Sequence, residues 1–154
     1  MNKYTYFFFI SLVMLLSGCS SDDSDDEVDN SALVIGTYNL TEVNVNVAQD
    51  VNEDGVSSNN MLDELECLNG ILIISDNNTW TLDLVNLDIT SVTGDFYAIR
   101  CGRTNRFTGK WSFQGSTLNL NATDFGTMTL NNLVLTEGIN ENLPGVLNRK
   151  FTKQ

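Results

Sequence analysis

The chain contains no histidine. That absence removes Ser-His-Asp and Cys-His catalytic arrangements, His-ligated zinc and most general-base chemistry near neutral pH. Basic residues are scarce as well: 8 Lys and Arg stand against 20 Asp and Glu, a formal charge of −12. With no basic stripe to neutralise phosphates, nucleic acid and anionic lipid surfaces are poor partners. Arg100, Arg103 and Arg106 cluster locally, but Asp95 lies nearby and no helical spacing or interleaved aromatics accompany them, so the stretch reads as a solvated loop. No two carboxylates have a spacing suited to acid and base roles. Asp83, Asp88 and Asp95 read as solvated strand ends and turns, no catalytic residue is assigned, and the protein is not expected to be an enzyme.

A long apolar run occurs only near the start. Lys3 precedes the run from Tyr4 to Leu16, which is too short to span a bilayer as a mature helix, and the small residues Ser17-Gly18 stand before Cys19. This is the pattern of a bacterial lipoprotein processing site. Residues 1–18 are expected to be removed as a signal peptide, and Cys19 to become the first mature residue, carrying palmitate-type acyl chains. At about 0.8 kcal/mol per buried CH₂, several chains make the membrane attachment effectively permanent. Residues 19–31 follow as a tether. Its six carboxylates, from Asp22 to Asp29, meet no basic residue and almost nothing apolar, so the stretch repels itself and cannot pack. Fully stretched it reaches roughly 40 Å. An acidic run this close to an acylated cysteine resembles the export signal that carries lipoproteins of Bacteroidota to the outer face of the outer membrane. A plain spacer would have the same composition. The expected location is the outer membrane, through the lipid.

Residues 32–154 suffice for one modest core, and one domain is expected. From Ile35 onward side chains alternate with a period of two, punctuated by Asn, Asp, Gly and Ser every eight to twelve residues. Tyr38 and Leu40 share one face and Val43, Val45 and Val47 the opposite parity, which places a bulge near Thr41-Glu42. Gly70 to Ser75 is a continuous apolar strand. Asp76-Asn77-Asn78 turns it into Thr79 to Leu84, with Trp80, Leu82 and Leu84 inward. Phe96 to Cys101 is another strand; Trp111 and Phe113 lead through Gly115-Ser116 into Leu118 and Leu120. Met128, Leu130, Leu133 and Leu135 switch parity across Asn131-Asn132, by a tight turn or a bulge. After Pro144, the last strand places Leu147, Arg149 and Phe151 on one face. The fold expected is all-β: a single antiparallel up-and-down β-barrel of about eight strands, with a two-sheet sandwich as the alternative. One short helix, Asn59 to Cys67, lies between the first two strands, opened by Ser57-Ser58 and placed to cover a barrel end.

Of three cysteines, one takes lipid, and Cys67 and Cys101 meet in an oxidising compartment with only each other as partners. A disulfide there closes a loop of about 35 residues and contributes roughly 4 kcal/mol on the chain-entropy model. Two buried free thiols are the alternative.

Gly36-Thr37-Tyr38, Cys67 shortly before Leu72-Ile73-Ile74-Ser75-Asp76-Asn77-Asn78-Thr79-Trp80, Cys101, Gly109-Lys110-Trp111-Ser112 and Thr117-Leu118-Asn119-Leu120 together resemble the lipocalin-like lipoproteins of Bacteroidota. The resemblance covers most of Ile35 to Lys153. It implies a small calyx for an apolar ligand. Lipocalins carry Gly-any-Trp on the first strand, its ring meeting a basic side chain from the last strand. Here Tyr38 replaces the tryptophan and Arg149 is the expected cation.

Asp50-Val51-Asn52-Glu53-Asp54-Gly55 matches the first half of a calcium loop, with oxygens at positions one, three and five and glycine at six. The Val56 carbonyl and Ser58 would extend the Ca²⁺ ligand set. Position twelve is Met61, so Asp63 or Glu64 would have to swing in. A polar turn is the plain alternative. Tyr38, Trp80, Phe96, Trp111 and Arg149 are the candidate ligand-lining residues, or else simply core. The function expected is that of a non-enzymatic, outer-membrane-anchored lipocalin-like lipoprotein binding a small apolar ligand. The alternative is a structural or protein-interaction module of the envelope, with a solid barrel and a calcium-ordered loop. A monomer is the expected state.

Overall fold

The computed structural model describes residues 30–94, 96–122, 125–139 and 145–154, without the side chains of Phe96 and Tyr97. The signal peptide, Cys19, residues 19–29 of the tether, Asp95 and Pro144 lie outside the described residues. In chain order the elements are α1 (Ser31–Val34), β1 (Gly36–Gln49), β2 (Ser58–Asn60), α2 (Met61–Glu64), β3 (Gly70–Ile74), β4 (Thr79–Thr93), β5 (Phe96–Gln114), β6 (Thr117–Asn121), β7 (Thr127–Asn131), β8 (Val134–Gly138) and β9 (Val146–Lys153).

From β3 to β9 every strand pairs antiparallel with the next, and β1 pairs with both β3 and β9. Eight strands therefore close an up-and-down barrel, with β2 a short flap on β1. Closure leaves no open edge and rules out the two-sheet sandwich. Alternation does what the sequence implies: Leu72 and Ile74 of β3, Trp80, Leu82 and Leu84 of β4, and Leu118 and Leu120 of β6 are all buried in one core. The expected bulge is present. Leu40 pairs with Phe151 and Glu42 with Lys150, leaving Thr41 as the extra residue that flips parity from Tyr38 and Leu40 to Val43 and Val45.

Several expectations are corrected. The Arg100–Arg106 stretch is strand, not loop, because β5 runs unbroken past it. Arg100, Arg103, Thr104 and Arg106 are exposed, and two of these arginines pair across the strands, Arg106 with Asp83 at 2.6 Å and Arg100 with Asp88 at 3.6 Å. Asp83 and Asp88 are accordingly mid-strand partners, not strand ends. The helix between β1 and β3 is one turn, Met61–Glu64, capped by Asn60, whose side chain accepts from the Leu62 N–H and also from the Val43 N–H. Those two bonds pin the segment to β1 and hold Asn59 and Asn60 in extended backbone. On β3, Ile71 and Ile73 face solvent, so that strand is apolar on both faces but buried on one. On β9 a register shift beside Val146 turns Val146 inward and Leu147 outward. Asn131-Asn132 resolves as a tight turn: Asn132 and Leu133 both have positive φ, and Asn131 pairs with Val134.

The two barrel ends differ. At the near end, where the chain enters, lie α1 and the turns after β3, β5 and β7. Val34 of α1 is fully buried there and closes the barrel. From the far end project the connections after β1, β4, β6 and β8. There β4 and β5 outrun their neighbour β3, whose pairing stops at Gly70 and Leu84, and continue as a two-stranded ribbon. A two-stranded ribbon is marginal alone. Burial of Val85 and Ile99 and the Cys67–Cys101 disulfide tie it to the segment after α2.

Candidate functional site

The barrel interior divides into an aromatic near half and a charged far half. In the near half, the Trp80 indole N–H donates to the Lys110 carbonyl at 3.1 Å and the Trp111 N–H to the Ser75 carbonyl at 2.9 Å. Opposite Trp80 stands Gly109, where a Cβ would come within 2.7 Å of the indole nitrogen, so the ring's seat depends on the glycine. Tyr38 is fully buried; its hydroxyl donates to the Val34 carbonyl at 2.7 Å, and burial pushes its pKa up to about 12. The cation over its ring is Lys153, at 5.8 Å, and not Arg149. Lys153 also donates to the Leu33 carbonyl at 3.0 Å, so Tyr38 and Lys153 together clamp α1 across the near end. Three expected ligand-lining aromatics thus share one half of the barrel with their polar atoms already paired.

Arg149 lies deeper, in the far half. It faces Glu137 directly across the β8–β9 register, and both point into the barrel. Glu137 is 2 % exposed. Arg149 Nε lies 3.0 Å from Glu137 Oε2 and Nη2 3.4 Å from Oε1, yet among the described residues neither Nε nor Oε2 completes a hydrogen bond. Burial raises the Glu137 carboxyl above its usual range against the pull of Arg149, and burial likewise lowers the Arg149 guanidinium. A buried pair of this kind returns its desolvation cost only when the remaining lone pairs and protons are also satisfied. Here they are not.

Phe125 covers the pair. It reaches inward from the β6–β7 connection, with its ring 5.4 Å beneath the Arg149 guanidinium carbon, 4.8 Å from Phe107 and 5.8 Å from Trp80, edge to face with both rings. Glu137, Phe125 and Phe107 escaped the sequence reading. Glu137 looks like any outward carboxylate, and only its parity with buried Leu135 two residues earlier signals that it points in. Phe96 was expected among the lining residues; its side chain lies outside the described residues.

The loop after β1 is folded on its own side chains. Asp50 accepts from the Asp54 and Gly55 N–H groups, Asn52 from Asp54, and Asp54 from Val56. Ser58 donates to Asp63, while Asn52 donates to Asp54 and to the Asp63 carbonyl. The loop therefore does bring Asp50, Asn52, Asp54, Val56, Ser58 and Asp63 together. Glu64 meets the backbone of the same loop: buried, it accepts from the Val51 and Asn52 N–H groups. Among the described residues no three acidic or thiol groups converge closely enough to hold a metal ion.

Comparison of the chain with protein-family models, with curated proteins and with solved structures found no match.

Proposed function

We propose that the protein is a lipid-anchored, non-enzymatic binding module of the outer membrane, whose barrel takes a small apolar ligand bearing one polar end. The observation that carries this reading is the Glu137–Arg149 pair: among the described residues, an incompletely hydrogen-bonded ion pair inside a largely apolar core, in the half of the barrel nearer the far-end connections. A ligand whose polar head bonds to Arg149 would supply what the pair lacks, and its apolar part would take the place of the Phe125 ring. The likeness to lipocalin-like lipoproteins supports the same reading, since a calyx is what that resemblance implies. Native mass spectrometry of the mature protein released from its own membrane tests it. A small adduct beyond the covalent lipid, lost on denaturation, is expected. A bare lipidated mass from several preparations would overturn the proposal.

A second reading makes the barrel solid and gives the work to the loop after β1, ordered by Ca²⁺ and contacting an envelope partner. Its support is charge: residues 50–66 carry six carboxylates and no basic residue. On this reading the protein melts higher in excess calcium than in chelator.

A further inference from the structure

The tether joins the chain at the near end of the barrel, where two exposed leucines stand beside a groove. The tether that follows Cys19 runs directly into α1, so a lipid at Cys19 ties the near end to the membrane through a leash of roughly 40 Å at full stretch. Of the six carboxylates of residues 50–66, all but the buried Glu64 are exposed, and they lie at the opposite end. Among the described residues the charged side chains at the near end are few, Lys110, Lys153 and Asp76, and the six carboxylates of the tether lie between them and Cys19. Between α1 and the turns after β5 and β7 runs a groove of about 450 Å³ whose apolar walls are Leu33, Phe113, Leu130 and Leu133 and whose rim is serine and asparagine. Leu33 and Leu133 are each 57 % exposed.

Leu133 stands where local physics argues against leucine. It occupies the second position of a two-residue hairpin turn at φ 70°, a backbone conformation that glycine or asparagine adopts without the Cβ penalty. Its side chain gains little burial in return. A residue that breaks the turn rule with no packing gain points to a contact outside the domain.

We propose that the near end is a membrane-contacting face: Leu33 and Leu133 enter the interfacial region of an uncharged or zwitterionic phospholipid surface, so that the barrel stands on its closed end with its far-end loops pointing away. The inference rests on the lipid-anchored reading and deepens it. The acyl chains supply the affinity and the two leucines set the orientation. The groove, lined by apolar side chains without a charged group, fits lipid better than it fits an acidic or basic partner. The acidic loops, held at the far end, keep clear of the surface.

The test uses lipidated full-length mature protein in phosphatidylcholine vesicles, with and without bromine on the acyl chains near the headgroup. Leu133→Trp and Val56→Trp place a new indole at opposite ends, both at exposed positions. Roughly half of the added emission of Leu133→Trp should be lost in brominated vesicles, and essentially none of that of Val56→Trp, for a face entering the headgroup boundary. Leu33→Asn in the Leu133→Trp protein should reduce that quenching. Protein that floats with the vesicles while neither indole is quenched, or with Val56→Trp the more quenched, overturns the orientation and leaves anchoring intact. Protein that fails to float overturns both.

Discussion

Arg149→Met removes a guanidinium while keeping most of the stem, and leaves the Glu137 carboxylate buried with no counter-ion. Breaking a buried pair from one side costs about 3–5 kcal/mol, and a carboxylate can escape that cost by taking up a proton. The folded-state pKa of Glu137 is already raised from 4.5 by desolvation, and loss of Arg149 removes both opposing influences, its charge and its hydrogen bond. A raised folded pKa means that stability is fully present below the unfolded value and is lost as pH rises through the folded one. The penalty of Arg149→Met should therefore grow with pH. At about pH 8, roughly three and a half units above the unfolded value and at about 1.4 kcal/mol per unit, its ceiling is about 5 kcal/mol. At about pH 4 Glu137 is protonated, and what remains is the lost cation–π contact with Phe125, about 1–2 kcal/mol when desolvated. Urea unfolding of wild type and variant, disulfide intact, gives the difference at each pH. Adding Glu137→Leu to Arg149→Met should return stability to wild type or above it, because an apolar pair needs no counter-charge. An equal penalty at both pH values, or no rescue by the double variant, would refute the reasoning.

Replacing Cys67 and Cys101 together by serine should cost about 4 kcal/mol in denaturant unfolding, from the loop entropy of the 34-residue separation. Leu133→Gly should raise stability by about 1 kcal/mol by relieving a positive-φ turn position, readable as a higher melting temperature. Gly109→Ala should destabilise by about 1–3 kcal/mol, since the added methyl meets the Trp80 ring, and the tryptophan emission should shift with it. Melting temperatures of wild type in excess calcium and in chelator decide the second functional reading; equality removes it.

Much of the barrel was legible because one physical rule, period-two burial, acts at every strand. The parity flip at Thr41 was visible for the same reason: a bulge shifts every later side chain to the other face, and valines at 43 and 45 report it. The rule failed where polar residues continue a strand. Around Arg100 to Arg106 neither face of β5 is consistently apolar, and only the partner strand β4, with Asp83 and Asp88 opposite the arginines, shows what holds it. The Glu137–Arg149 pair was illegible for a related reason. Arg149 was legible on the face of Phe151, but Glu137 taken alone looks solvated, and their meeting depends on the long-range register of β8 against β9. Lys153 was missed at Tyr38 because it lies four residues beyond Arg149 on the same strand: the last strand does supply the cation, but one that reaches α1 at the near end. Phe125 comes from a connection, where periodicity carries no information.

A crystal structure of the mature protein purified from its own membrane tests the central claim most directly. The account predicts additional density within the far half of the barrel, its polar end within hydrogen-bonding distance of Arg149, with the Phe125 ring displaced from its seat against Phe107 and Trp80. An interior holding only the Glu137–Arg149 pair beneath an unmoved Phe125 would contradict it.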